Sequence, residues 1–216
     1  MTTAIHARAV LLDMDGTLVD STAVVERVWL AWAQRHGLDG DRVLSTIHGR
    51  QAHASMAMLL PERPHEVNLR ENSELLAQEI TDLDGVVEIP GAAALVGALT
   101  PFPHAVVTSA TVELMTARMV AAGVSVPPVV VTAEDVSRSK PDPEGFLRGA
   151  SLLGAAPGDC VVLEDSAAGI AAGLAAGMTV IGVGPHAAAR TATHHVADLT
   201  CIAVAPASDG VVLTLR

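Results

Sequence analysis

From Val86 onward the chain alternates short apolar runs with stretches of helical pattern, and glycines punctuate the alternation. Ala105-Val106-Val107, Val129-Val130-Val131, Val161-Val162-Leu163 and Thr179 to Val183 have the length of buried strands, not helices. The segments Gly91 to Thr100, Val112 to Ala122, Asp142 to Leu153 and Ala167 to Ala176 carry helical spacing, and Gly123, Gly154 and Gly177 stop the last three. Strands alternating with helices of this length predict an α/β fold, a doubly wound parallel sheet with right-handed crossovers. Sheets of this kind bind ligands at the carboxyl ends of their strands.

Those ends are where the chemistry-bearing residues fall. Ala7 to Leu12 reads as one more buried strand and runs into Asp13-Met14-Asp15-Gly16-Thr17-Leu18-Val19-Asp20-Ser21. Two carboxylates at the end of a core strand are costly unless a cation or hydrogen bonds compensate them. One reading is a hard-metal site, since Mg²⁺ takes oxygen ligands at about 2.0–2.1 Å; the other is a solvated loop after an edge strand. Val161-Val162-Leu163 likewise runs straight into Glu164-Asp165-Ser166. Thr108-Ser109, after the next strand, either donates to a phosphate oxygen or caps the Val112 helix.

Between Val19 and Leu83 the pattern is helical throughout: Val24 to His36, Asp41 to Ile47, Gln51 to Leu60 and Pro64 to Leu83. Trp29 and Trp32 fit the core of that block better than a ligand platform. At the other end, Asp198 to Val204 and Val211 to Leu215 predict a terminal antiparallel pair.

The bulk numbers narrow the function. A chain of 216 residues holds one ordinary domain plus a small insert. Half of it is hydrophobic and its mean hydropathy is +0.42, which excludes a disordered chain. A formal charge of −11 without basic runs argues against nucleic acid or an anionic membrane surface as partner. Cys160 and Cys201 match no metal or redox spacing and read as free thiols in a reducing compartment. Ser166 to Ala189 carries no charged residue, but Gly177 followed by Thr179-Val180-Ile181 makes it a helix and a strand, not a membrane span. With no signal peptide visible, a cytoplasmic protein is expected.

The string from Asp13 to Ser21 resembles the first motif of the haloacid dehalogenase superfamily. The other motifs follow in order: Thr108 after the second core strand, the lysine of Ser139-Lys140-Pro141, and Glu164-Asp165-Ser166-x-x-Gly169. Lys140 is the only lysine among 13 basic residues, so a chain that otherwise uses arginine keeps one compact ammonium at this position. The resemblance covers essentially the whole chain. It implies a Rossmann-like phosphatase core over residues 1–18 and 85–216, with an inserted all-helical cap over 19–84. It also implies Asp13 as nucleophile, Asp15 as general acid/base, and Thr108 and Lys140 as further catalytic residues. Mg²⁺ would be bound by Asp13, the Asp15 carbonyl and Asp165, with Glu164 orienting a bound water. Thr17, Ser109 and the cap residues His48, Arg50 and Gln51 are the expected substrate contacts, with His53, Glu26 and Arg63 behind them.

Within the superfamily the cap looks similar to that of bacterial sugar-phosphate phosphatases, relatives of 2-deoxyglucose-6-phosphate and glycerol-phosphate phosphatases. The implied reaction is hydrolysis of a small phosphorylated sugar or polyol through an aspartyl-phosphate, by a monomer or weak homodimer. The alternatives are a β-phosphoglucomutase-like mutase and a phosphatase of another small ester such as phosphoglycolate. Mutases of that type place a His twelve residues after the nucleophile, where this chain has Val25, and tend to lack the Thr at position 17.

Overall fold

A computed structural model describes residues 2–47, 51–188 and 191–216. The first apolar run is divided between two strands, β1 (Thr3–Ala7) and β2 (Ala9–Leu12). The break falls at Arg8, whose backbone N–H donates to the Asp159 carbonyl at 2.8 Å. The single strand expected over Ala7 to Leu12 is therefore corrected: the chain turns at Arg8 and the halves enter different sheets.

The short strand β3 (Val19–Asp20) leads into helices α1 (Thr22–Arg35), α2 (Gly40–Ile47), α3 (Ala52–Leu59) and α4 (His65–Thr81). The chain returns through β4 (Val87–Glu88), antiparallel to β3. It then alternates through α5 (Ala92–Leu99), β5 (His104–Val107), α6 (Val112–Ala121), β6 (Val130–Val131) and α7 (Glu144–Leu152). The alternation continues with β7 (Cys160–Glu164), α8 (Ala167–Ala175), β8 (Thr179–Val183), α9 (Gly184–Ala188) and β9 (His194–Val196). Strands β10 (Ile202–Ala207) and β11 (Gly210–Leu215) close the chain.

The main sheet is parallel throughout, in the order β6-β5-β2-β7-β8-β9. Strand residues alternate between faces, so Leu11, Val107, Val162 and Val180 pack with Phe146 of α7 and Ile170 of α8. Val10, Leu12, Val106, Leu163 and Ile181 pack on the opposite face, in the cluster that holds Leu95 and Leu99 of α5 and Met115 and Met119 of α6. All of β2 is buried, and each of its large side chains contributes about 1.5–3 kcal/mol by leaving water. That burial fixes β2 in the centre of the sheet, and Asp13 with it.

Three strands have no apolar run to announce them. β9 buries only Val196 at the sheet edge, and β3 and β4 are two residues each. The terminal antiparallel pair is present, but its first strand begins at Ile202, and β1 joins it to give the order β1-β11-β10.

Within the helical block Trp29 and Trp32 are buried and meet edge to face at 5.4 Å. The Trp32 indole donates to Glu71 at 2.7 Å, and His36 and Arg63 converge on the same carboxylate. Arg63, expected near the substrate, instead serves this internal cluster. Helix α4 also packs against α6, so the block is seated on the main sheet's helical layer. Among the described residues no helix is long and apolar enough to cross a membrane.

Candidate active site

Register brings the motifs together. Leu12 is paired with Val106 on one side and Leu163 on the other. The residues just beyond, Asp13, Thr108 and the Glu164-Asp165 pair, therefore emerge along one edge. Two backbone bonds hold that alignment past the strands: Asp13 N–H to the Leu163 carbonyl at 3.0 Å and Thr108 N–H to the Val131 carbonyl at 2.9 Å.

Lys140 comes in from the loop before α7. Its ammonium donates to Asp13 Oδ1, to Glu164 Oε2 at 2.8 Å and to the Val107 carbonyl at 3.1 Å, with the Phe146 ring beneath it. An ammonium has three donors, and all three are taken by protein. The structure places this charge between two carboxylates, where it fixes Asp13. Burial alone would lower the Lys140 pKa, but Asp13 and Glu164 outweigh it and keep the ammonium charged.

Glu164 is held as firmly. Its Oε1 accepts from the Asp165 and Ser166 N–H groups and the Ser166 hydroxyl at 2.9–3.0 Å, while Oε2 accepts from Lys140. Held in this way, Glu164 anchors Lys140. Gly169 makes room for it: a Cβ there would lie 1.7 Å from Glu164 Oε2.

Asp13, Glu164 and Asp165 bring carboxylate oxygens within 4.8 Å of one another. Burial, then the charge of Glu164, raises the pKa of both Asp13 and Asp165, with Lys140 opposing. Asp165 Oδ1 is buried without a hydrogen-bond partner. An unpaired buried carboxylate oxygen beside a second acid is a site short of positive charge, and hard oxygen donors suit a divalent cation. The residues thus fit a divalent metal. Gly16, at φ +86°, allows the approach, since a Cβ there would meet Asp165 Oδ2 at 2.2 Å.

Above this edge a cavity of about 760 Å³ opens between the helical block and the sheet. Asp13, Asp15, Thr108, Ser109 and Asp165 line its sheet side; Val25, Glu26, Gln51, His53 and Asn72 line its helical side. Thr108 is not the cap of α6: that role falls to Thr111, which accepts from Leu114 N–H at 3.3 Å. The Thr108 hydroxyl oxygen accepts from Ala110 N–H at 3.0 Å, which leaves its proton to donate. Thr17 is fully buried, with its hydroxyl unpaired, and is not on the cavity wall. The substrate contact expected of Thr17 has no counterpart on that wall. His48 and Arg50 lie outside the described residues. Sequence reasoning missed Arg118 of α6, buried in the cavity wall and bonded to Asp15 Oδ1 at 2.8 Å. A single arginine in an amphipathic helix carries no signal that would have singled it out.

An apolar parallel sheet with acids on its central strand end, a lysine between them and a helical insert above defines a class. The chain belongs to it: residues 7–177 match the haloacid dehalogenase-like hydrolase family. The chain is 45% identical to hexitol phosphatase A of Escherichia coli over 82% of its length and 83% of the relative's. It is 32% identical to glycerol-1-phosphate phosphohydrolase 2 of Saccharomyces cerevisiae, over 83% of the chain and 76% of the relative. Among solved structures, β-phosphoglucomutase from Clostridium difficile shares the fold, with a TM-score of 0.80 at 21% identity over 89% and 92% of the two chains. The family, its sugar-phosphate-phosphatase relatives and the Rossmann-like fold are those the motifs implied.

Proposed function

We propose that this protein is a Mg²⁺-dependent phosphatase that hydrolyses the phosphate monoester of a small sugar or polyol, and that it works in the cytoplasm. The observation that carries the reading is Asp13, set by the central strand at the floor of a 760 Å³ cavity and held there by Lys140. In the first step an Asp13 oxygen bonds to phosphorus, the ester P–O bond breaks, and the leaving alkoxide takes a proton from Asp15. In the second, water gives a proton to Asp15 and its oxygen displaces Asp13 from phosphorus, releasing phosphate, freeing the Asp13 carboxylate and leaving Asp15 protonated as it began. Thr108 and Ser109 hold the phosphoryl oxygens. Asp13, Asp165 and the Asp15 carbonyl would hold Mg²⁺, which would supply the charge that lets the phosphate approach these acids.

Residues 19–84 act as a cap over the site, and Gln51, together with His48 and Arg50, reads the part of the substrate that is not phosphate. A sugar or polyol suits this wall because its polar groups, Glu26, Gln51, His53 and Asn72, offer partners for hydroxyls. The sugar-phosphate phosphatases among the relatives support the same class. Against the mutase alternative, the position where a mutase carries its histidine is Val25, an apolar residue on the cavity wall. A panel of phosphate esters assayed with Mg²⁺ tests the proposal. Hexitol and related polyol or sugar phosphates are expected to lead in kcat/KM; phosphoglycolate leading instead would overturn the substrate class.

A further inference from the structure

Arg118 is the buried cation for which the family motifs assign no task. It projects from α6, is 3% exposed, and forms a bridge: Nη1 to Asp15 Oδ1 at 2.8 Å, Nη2 to Glu79 Oε2 at 2.9 Å. Glu79 belongs to α4, the last helix of the insert, and is itself buried. Asp15 Oδ1 also accepts from the Ser21 hydroxyl at 2.6 Å, at the point where the insert begins. The two ends of the insert therefore converge on Asp15 Oδ1, Ser21 directly and Glu79 through Arg118. Among the described residues no hydrogen bond falls on Asp15 Oδ2, and the Asp15 side chain keeps about a third of its surface exposed, in the cavity wall.

Stability does not explain the arrangement. Removing a guanidinium and two carboxylates from water costs several kcal/mol per ion, which their attraction offsets only with complete hydrogen bonding. Here Arg118 Nε is left without a partner. An aliphatic side chain would fill the same space more cheaply. The bridge does fix an orientation, because a planar guanidinium holds two carboxylates in a set geometry that a single ammonium cannot.

We infer that Arg118 is a positioning residue for Asp15: it pins Oδ1, so that Oδ2 exchanges the proton with the leaving oxygen, and through Glu79 it couples that orientation to the seated insert. The inference rests on the reading of Asp15 as general acid/base. Arg118 touches neither phosphorus nor the leaving group in this role. When the insert lifts, Glu79 leaves with α4 and Arg118 keeps only its bond to Asp15, so the guanidinium is fixed from both sides only over an enclosed substrate.

The test separates proton delivery from everything else. Release of the alcohol is measured in a single turnover, with Mg²⁺, for a polyol phosphate and for p-nitrophenyl phosphate. Later hydrolysis of phospho-Asp13 is common to both substrates, and only the polyol needs a proton in order to leave. The variant is Arg118→Met/Glu79→Met, which removes the buried cation together with its buried partner; Asp15 loses the cation but stays about a third exposed to the cavity. Polyol release is expected to slow about 10²-fold, the scale of a misplaced catalytic group. The loss on p-nitrophenyl phosphate is expected to be at least about tenfold smaller, because its leaving group needs no general acid. Arg118→Lys, which keeps the charge but cannot bridge, is expected to show the same pattern to a lesser degree, and decides the question if the double variant does not fold.

The same changes made in an Asp15→Asn background are expected to cost little more, since a residue that acts through Asp15 has nothing left to position. Equal losses on the two substrates, or equal losses in the two backgrounds, would overturn the inference and make Arg118 structural or a substrate contact. If Asp15→Asn alone slowed both substrates equally, the general-acid reading itself would fall, a result distinct from failure of Arg118 in an intact system.

Discussion

Gly169→Ala reverses the sign that helix propensity assigns to it. Gly169 lies in the first turn of α8, where replacing Gly by Ala normally stabilises by about 0.5–1 kcal/mol. Here the new methyl would sit 1.7 Å from Glu164 Oε2 and 2.0 Å from its carboxyl carbon. Glu164 is fully buried and held by Lys140 and by three further donors, so it has no vacant position to occupy. Overpacking costs about 1–3 kcal/mol, and releasing the charge-assisted bond to Lys140 costs about 1.5–3 more. The balance is a destabilisation of roughly 2–5 kcal/mol, or at least about 4 °C in Tm for a chain of this size. Gly97→Ala in α5 is the matched control, because Gly97 is exposed and a methyl there meets nothing within 4 Å. Thermal melts of both variants, with activity measured alongside, decide the matter. Gly97→Ala should raise Tm slightly, while Gly169→Ala should lower it and cost about 10²-fold in activity as Lys140 loses its anchor. A Gly169→Ala protein as stable and active as the parent would refute the packing and the role given to Glu164.

Further outcomes follow from the same geometry. Burial pushes the Glu71 pKa up, but hydrogen bonds from Arg63 and Trp32 and the charges of His36 and Arg63 pull it down to about 2 from an ordinary 4.5. With the folded value below the unfolded one, the stabilisation is complete above about pH 4.5 and fades as pH falls toward 2. Melts of Glu71→Gln should trail the parent by about 3 kcal/mol near neutrality, with the gap closing across that acid window. Because Asp165 Oδ1 is buried and unpaired, Mg²⁺ should raise Tm as well as support activity. Saturation at a hundredfold excess over Kd is worth about 2.7 kcal/mol, and chelator should abolish both effects. Lys140→Met leaves Asp13 and Glu164 buried without their cation, and denaturant titration should show a loss of about 3–5 kcal/mol.

The parallel sheet was legible because β2, β5, β7 and β8 are apolar on both faces, and continuous apolar runs between helical segments admit few folds. The strand ends were legible for a chemical reason: acids are too costly at the close of a buried strand to be incidental. What was not legible lay in relations between distant residues. Nothing in Thr3 to Ala7 indicates that it pairs with Gly210 to Leu215, and nothing in His194-His195-Val196 announces a sheet edge. The bonds that join Lys140 to Asp13 and Glu164 were illegible for the same reason, since the three acceptors of the ammonium come from three separate strand ends. Arg118 was invisible because its partners are 103 and 39 residues away.

The central claim is that Asp13 carries the phosphoryl group between substrate and water. Rapid acid quench of the enzyme with Mg²⁺ and a turned-over polyol phosphate, followed by mass spectrometry of its peptides, tests this most directly. The account predicts a gain of one phosphoryl group on the peptide containing Asp13, formed no more slowly than phosphate is released. It predicts no such gain, and no turnover above background, in Asp13→Asn. Phosphate released with no labelled peptide at any quench time, or a label on a residue other than Asp13, would contradict it.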